Sequence, residues 1–298
     1  MNVIEIPGTG KRTEYPSSWE ECSPRQLRYI FREAMHLTAG DMELQDFKVR
    51  IFYFLAGIQR TEKHNRREEL LTQEERTRKY SNISLAAETV NFMFSEREGR
   101  LVFDYDCLGN RFPSVRIGRK KFYGPTDALL NISFGEYRVA WDYFRKFIDE
   151  QEETALNNLC AVLYRPARSG KIDNDIRQDF NPHNCIRRAK VFEKVPGEIK
   201  HIIFSWFASC DSYLKTGDLK IEGRLVNLRC LFKQEEQEKD GGLGLTGILM
   251  AVADTGTFGT MQEVDRTNLY TVMFRLYLWH QENEHLKKMY KNDESKIV

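Results

Sequence analysis

SFGEYRVAWDYFRKFI, residues 133–148, is the stretch that decides how this chain folds. Ser133 and Glu136 have the S-x-x-E spacing of a capping box. In that motif the hydroxyl and the carboxylate each satisfy a backbone N–H that the first helical turn leaves without a partner. Tyr137, Ala140, Trp141, Phe144, Phe147 and Ile148 then recur at intervals of three and four, which gives a helix one apolar face. Leu156, Leu159, Cys160 and Leu163 repeat the pattern until Pro166 ends it. The spacing predicts an aromatic-faced helical hairpin.

Similar signals extend toward the N-terminus. Ser23, Pro24 and Gln26 mark a second helix start, with proline at the first helical position. Leu27, Ile30, Phe31, Ala34 and Leu37 form its apolar stripe, and Gly40 closes it. A further helix over about 43–56 carries Phe47, Ile51, Phe52, Phe54 and Leu55, with Gly57 at its end and Trp19 packed on the pair. Residues 1–16 read as extended, either an arm that pairs with a partner or a loose terminus. The run 60–80 mixes both charge signs and reads as a solvated helix or an exposed loop, followed by a helix near 82–95.

The pattern changes between 100 and 132. Leu101, Phe103 and Tyr105 alternate with Val102, Asp104 and Asp106, Gly109 and Asn110 form a turn dipeptide, and Val115 and Ile117 continue beyond it. A β-hairpin is expected, with a third strand near Phe122 and Tyr123 or near Leu130–Ile132. Residues 165–181 read as a polar boundary loop. Beyond it, Asn181-Pro182 caps a short helix, and Pro196 opens a long one with Ile199, Ile202, Ile203, Trp206, Phe207, Cys210, Tyr213 and Leu214 in its stripe. Residues 218–232 are extended and 234–242 form a charged linker. The last unit holds an apolar segment at 245–253, a Thr260/Glu263 capping box and a closing helix through Leu269, Val272, Met273 and Leu276. The expected fold is mainly α, with a small antiparallel sheet inserted near 100–132. The expected domains are 1–165 and 166–298, with a single domain as the alternative.

Composition narrows the function classes. The chain has 298 residues, 41% hydrophobic and 30% charged, with a net charge of +1. No global field favours nucleic acid or an acidic membrane. No apolar run reaches the roughly 20 residues of a membrane helix, and Met1–Pro16 has no apolar leader core. None of the six cysteines forms a C-x-x-C, so they are expected as free thiols of a reducing compartment. His280 and His285 are offset by five positions, which on a helix does not bring them together as metal ligands. No cofactor or metal is expected.

Three groups of residues could carry function. Arg111, Arg116, Arg119, Lys120 and Lys121, interleaved with Phe112, Phe122 and Tyr123, form an acid-free basic–aromatic segment at 111–124. Such a segment could neutralise phosphates and stack on bases, and it could equally be a hairpin edge guarded by charge. Tyr137, Trp141, Phe144, Trp206 and Phe207 could be core, or they could form partner interfaces. Asp254-Thr255-Gly256 matches the aspartic-protease tripeptide in a single copy, whereas that chemistry needs a pair of aspartates. A helix terminus explains it as well.

Three further segments carry a resemblance: the Pro16–Trp19 approach to the capped helix, Ser133–Tyr137 leading to Leu163–Pro166, and Trp206–Leu214. These resemble proteins of phage and prophage structural gene clusters. The resemblance implies a non-enzymatic virion or assembly protein, such as a tail assembly chaperone or a neck component. Its partners would be other phage structural proteins or itself, in the host cytoplasm or the virion. No active-site residue is carried over.

Overall fold

The computed structural model describes residues 1–6, 11–59, 66, 68–170, 175–221, 224–232 and 244–294. The first part of the charged run, the linker 234–242 and the end of the C-terminal tail lie outside these. In chain order the strands and helices are β1 (Asn2–Ile6), β2 (Lys11–Tyr15), α1 (Pro24–Thr38), α2 (Leu44–Leu55) and α3 (Gln73–Ala87). They continue with β3 (Phe94–Arg97), β4 (Arg100–Phe103), β5 (Ser114–Ile117), β6 (Lys120–Tyr123), α4 (Phe134–Glu150) and α5 (Glu153–Leu163). Next come β7 (Arg165–Pro166), α6 (Cys185–Phe192), α7 (Gly197–Thr216), β8 (Asp218–Ile221) and β9 (Arg224–Asn227). The last are α8 (Arg229–Phe232), α9 (Gly244–Asp254), α10 (Met261–Arg266) and α11 (Leu269–Glu294). The protein is mainly α, with small antiparallel sheets. No described helix is long and apolar enough to cross a membrane. Among the described residues the six cysteines form no disulfide, and all but Cys230 are buried.

The chain forms two compact units. The first is Met1–Cys107 with Pro196–Trp206, and the second is Leu108–Val195 with Phe207–Val298. Helix α7 therefore belongs to both, and the boundary expected at 165–166 falls inside β7.

In the first unit, α1 starts with a complete capping box between Ser23 and Gln26. Trp19 sits among Phe31, Phe92, Phe103 and Tyr105, with ring centroids 4.8–6.3 Å away. Its indole N–H donates to the Asp104 carbonyl at 3.0 Å, so the one polar atom of a buried ring is satisfied. Residues 2–6 pair antiparallel with residues 11–15 of the same chain, β1 against β2. Lys48, almost fully buried on α2, reaches the half-exposed Glu88 at 2.9 Å.

In the second unit, Gln151 in the left-handed conformation (φ +55°) ends α4 and turns the chain into α5. β5, β6 and β7 form one antiparallel sheet whose inner face presents Val115 and Phe122. Phe122 packs edge-on against Phe192 of α6 at 5.4 Å. A Cβ at Gly124 would lie 2.6 Å from the Tyr164 ring, so only glycine lets the strand end pass over that tyrosine.

The strand pairing differs from the expected hairpin. Residues 100–103 pair backward with 94–97, around Glu98 and Gly99, both at positive φ. Residues 114–117 pair forward with 120–123 across Gly118 and Arg119. The region read as a helix near 82–95 ends α3 at Ala87 and continues as a 3-10 turn over Glu88–Met93 before β3. Gly109 and Asn110 join no strands. The Asn110 side chain donates to the Pro125 carbonyl at 2.7 Å, and its backbone N–H donates to Asp127 at 2.7 Å, which makes it a loop clamp.

Candidate functional site

The second unit contains a cleft of about 1060 Å³ built over the first turn of α4. Ser133 caps that helix by accepting from Glu136 N at 3.1 Å. Only half of the expected capping box forms. The Glu136 carboxylate does not return to the cap, because two arginines hold it. Arg165 of β7 approaches it at 2.8 Å and Arg177 at 2.6 Å. The Glu136, Arg165 and Arg177 side chains are 2%, 3% and 0% exposed.

Arg177 uses every face of its guanidinium. Nε donates to Asp175, Nη1 to Glu136 and the Leu163 carbonyl, and Nη2 to Asp175 and the Asn131 carbonyl. Arg165 donates to the Gln178 and Val162 carbonyls as well as to Glu136. Desolvation works against the Arg177 charge, but Glu136 and Asp175 outweigh it and hold the guanidinium above its ordinary pKa. Two positive and two negative groups are thus saturated against one another. The knot ties the start of α4 to the end of α5, to β7 and to the segment 175–178. A knot bonded this heavily holds the floor of the cleft rigid.

The cleft walls are less complete. Arg138 pairs with Asp265 at 3.0 Å, and Arg168 pairs with Asp179. Arg138 Nε, Asp265 Oδ1 and Arg168 Nε are buried atoms without a hydrogen-bond partner among the described residues. α10 comes this close to α4 because residue 135 is glycine: a Cβ there would lie 2.8 Å from Asp265 Cγ. The Phe134 N–H to the Thr267 carbonyl (2.8 Å) and the Leu269 N–H to the Ile132 carbonyl (3.0 Å) close the same seam.

The residues expected from sequence are distributed as follows. Arg116, Arg119, Lys120 and Lys121 are exposed on the β5–β6 hairpin. Arg111 is half-buried before it, and Tyr123 is half-buried with the Lys121 ammonium 4.8 Å from its ring. Tyr137, Phe144, Trp206 and Phe207 lie in the core and not on a free face. Tyr137 Oη donates to Asp211 at 2.5 Å, and both Tyr137 and Phe144 pack against Phe207. Trp141 is half-exposed and covered by Lys215 and Arg145. Asp254 is an exposed residue at the end of α9, two positions before Gly256 at φ +68°. Sequence reasoning missed the Glu136–Arg165–Arg177–Asp175 knot, because three of its members sit in a stretch read as a polar loop. The one available signal was an arginine placed between a buried helix and a proline.

No protein-family model matches the chain, and no curated protein or solved structure matches it significantly.

Proposed function

We propose that this chain is a non-enzymatic structural or assembly protein of the phage type, acting through a helical interface with copies of itself. The observation that carries this reading is the C-terminal helix. α11 buries Leu269, Val272 and Met273 in its first turns, and from Phe274 to Met289 none of its residues is buried. Leu278, Leu286 and Met289 are 37%, 49% and 52% exposed. On a helix their angular positions fall within one stripe. Exposed apolar side chains grouped this way mark a surface that another protein covers. The segments resembling phage structural-cluster proteins support the setting. A neck or virion component and a tail assembly chaperone are the subtypes it fits.

Light scattering across a concentration series tests the proposal. A mass that rises above 35.1 kDa in the unaltered chain and returns to it in Leu286→Glu/Met289→Glu supports the interface. A strict monomer at every concentration overturns it.

A further inference from the structure

The β5–β6 hairpin carries a local electrostatic cost that no acid of the fold relieves and that only the Tyr123 ring, 4.8 Å from the Lys121 ammonium, softens. Arg116 stands directly opposite Lys121 in the register, on the face away from the buried pair Val115/Phe122. Like charges at directly opposed positions repel, since their Cβ atoms are about 4.5–5.5 Å apart. Arg119 and Lys120 add two more cations at the tip. All four side chains are exposed, and none has an acidic partner among the described residues. Elsewhere in the same unit exposed cations do find acids, as Lys146 does with Glu150 and Glu152.

Protection of a sheet edge does not account for this arrangement. Arg119 lies in the turn, where there is no pairing edge to protect. One charge on β5 would suffice for the rest, and an acid opposite it would guard as well while stabilising the hairpin. Repulsion of this kind is relieved by an external polyanion. The tip is also presented stiffly. A two-residue turn with Gly118 at φ +59° follows the type II′ pattern that matches strand twist. β6 is anchored on its other side by β7, Phe122 opposite Pro166 and Tyr123 opposite Arg165.

We propose that the outer face and tip of this hairpin form a contact surface for the phosphodiester backbone of nucleic acid, with Arg116, Arg119, Lys120 and Lys121 as the phosphate-contacting groups. The contact is sequence-independent, because no side chain of the four is fixed against a second polar group that could set its direction for a base edge. Nucleic acid suits the surface better than an acidic protein patch, since a strand supplies closely and regularly spaced charges.

The test is fluorescence anisotropy of the full chain with a labelled duplex and a labelled single strand between 50 and 200 mM salt. Four phosphate contacts predict a log–log slope of about −3.6 for duplex and −2.8 for single strand, a loss of roughly 150-fold and 50-fold over that range. Arg119→Glu/Lys120→Glu/Lys121→Glu is expected to abolish binding while leaving the circular dichroism spectrum and melting temperature intact. Absence of binding at 50 mM, a slope near zero, or affinity unchanged by the triple reversal would each overturn the proposal. So would binding to poly-glutamate with no binding to either nucleic acid.

Discussion

Arg177 Nη1 donates to Glu136 Oε1 at 2.6 Å across 41 positions of sequence, with neither side chain more than 2% exposed. The same carboxylate takes Arg165, so one acid neutralises two buried guanidiniums with help from Asp175. Glu136→Gln keeps the shape and removes the charge. It is expected to destabilise the fold by about 3–5 kcal/mol, the usual cost of leaving buried charge uncompensated. Urea melts give the number, and a loss below about 1 kcal/mol would show that water compensates the knot. Asp175→Asn, at the more open end, should cost less.

Gly135→Ala tests the seam between α4 and α10. The new methyl meets Asp265 at 2.8 Å, and overpacking of this kind costs about 1–3 kcal/mol. Asp265→Gly in the same chain removes Cβ, Cγ and Oδ1, the three atoms 2.8–2.9 Å from the new methyl, so the double variant should lose less than the sum of the two single changes in thermal melts. Additive losses would place the strain elsewhere.

Lys121→Glu separates stability from binding on the hairpin. An acid opposite Arg116 replaces repulsion with attraction and should leave stability unchanged or raise it by about 0.2–1 kcal/mol. Nucleic-acid affinity should fall in the same variant. If stability and affinity fall together, the lysine is serving the fold.

Acid pH should act on Glu88. The hydrogen bond from Lys48 is the main cause holding its carboxyl below the ordinary value of 4.5, with Asn91 adding to it. The folded-state pKa lies below the unfolded one, so the contribution is fully present above about 4.5 and fades as pH falls through the depressed value. Melting temperatures of the parent chain and Glu88→Gln should differ at pH 6 and converge toward pH 3. A gap that persists at low pH would assign the effect to shape.

Helix starts were legible because capping is local. Ser23 with Gln26 and Thr260 with Glu263 close complete boxes, as their spacing predicts. Strand partners were not legible. Period-two alternation at 101–105 says which side chains share a face and leaves open which neighbour supplies the ladder. The Glu98-Gly99 turn won over Gly109-Asn110 because the Asn110 side chain is engaged with the Pro125 carbonyl. The aromatic stripes showed periodicity and could not show cover, so Tyr137 and Phe207 were open to either reading until their burial was seen. Arg165 and Arg177 were hidden for the opposite reason. A charge in a polar stretch reads as solvated, and its burial depends on an acid far away in sequence.

The shared helix α7 has a consequence for synthesis. The first unit needs Pro196–Trp206 to be complete, so it cannot finish folding when residue 107 leaves the ribosome. At about 5–20 residues per second the intervening stretch takes several seconds to emerge. During that time the surface awaiting the start of α7 is open to chaperones and proteases. A fragment cut at 107 keeps that surface open permanently, so the first unit is completed only by chain made long after its own N-terminal part.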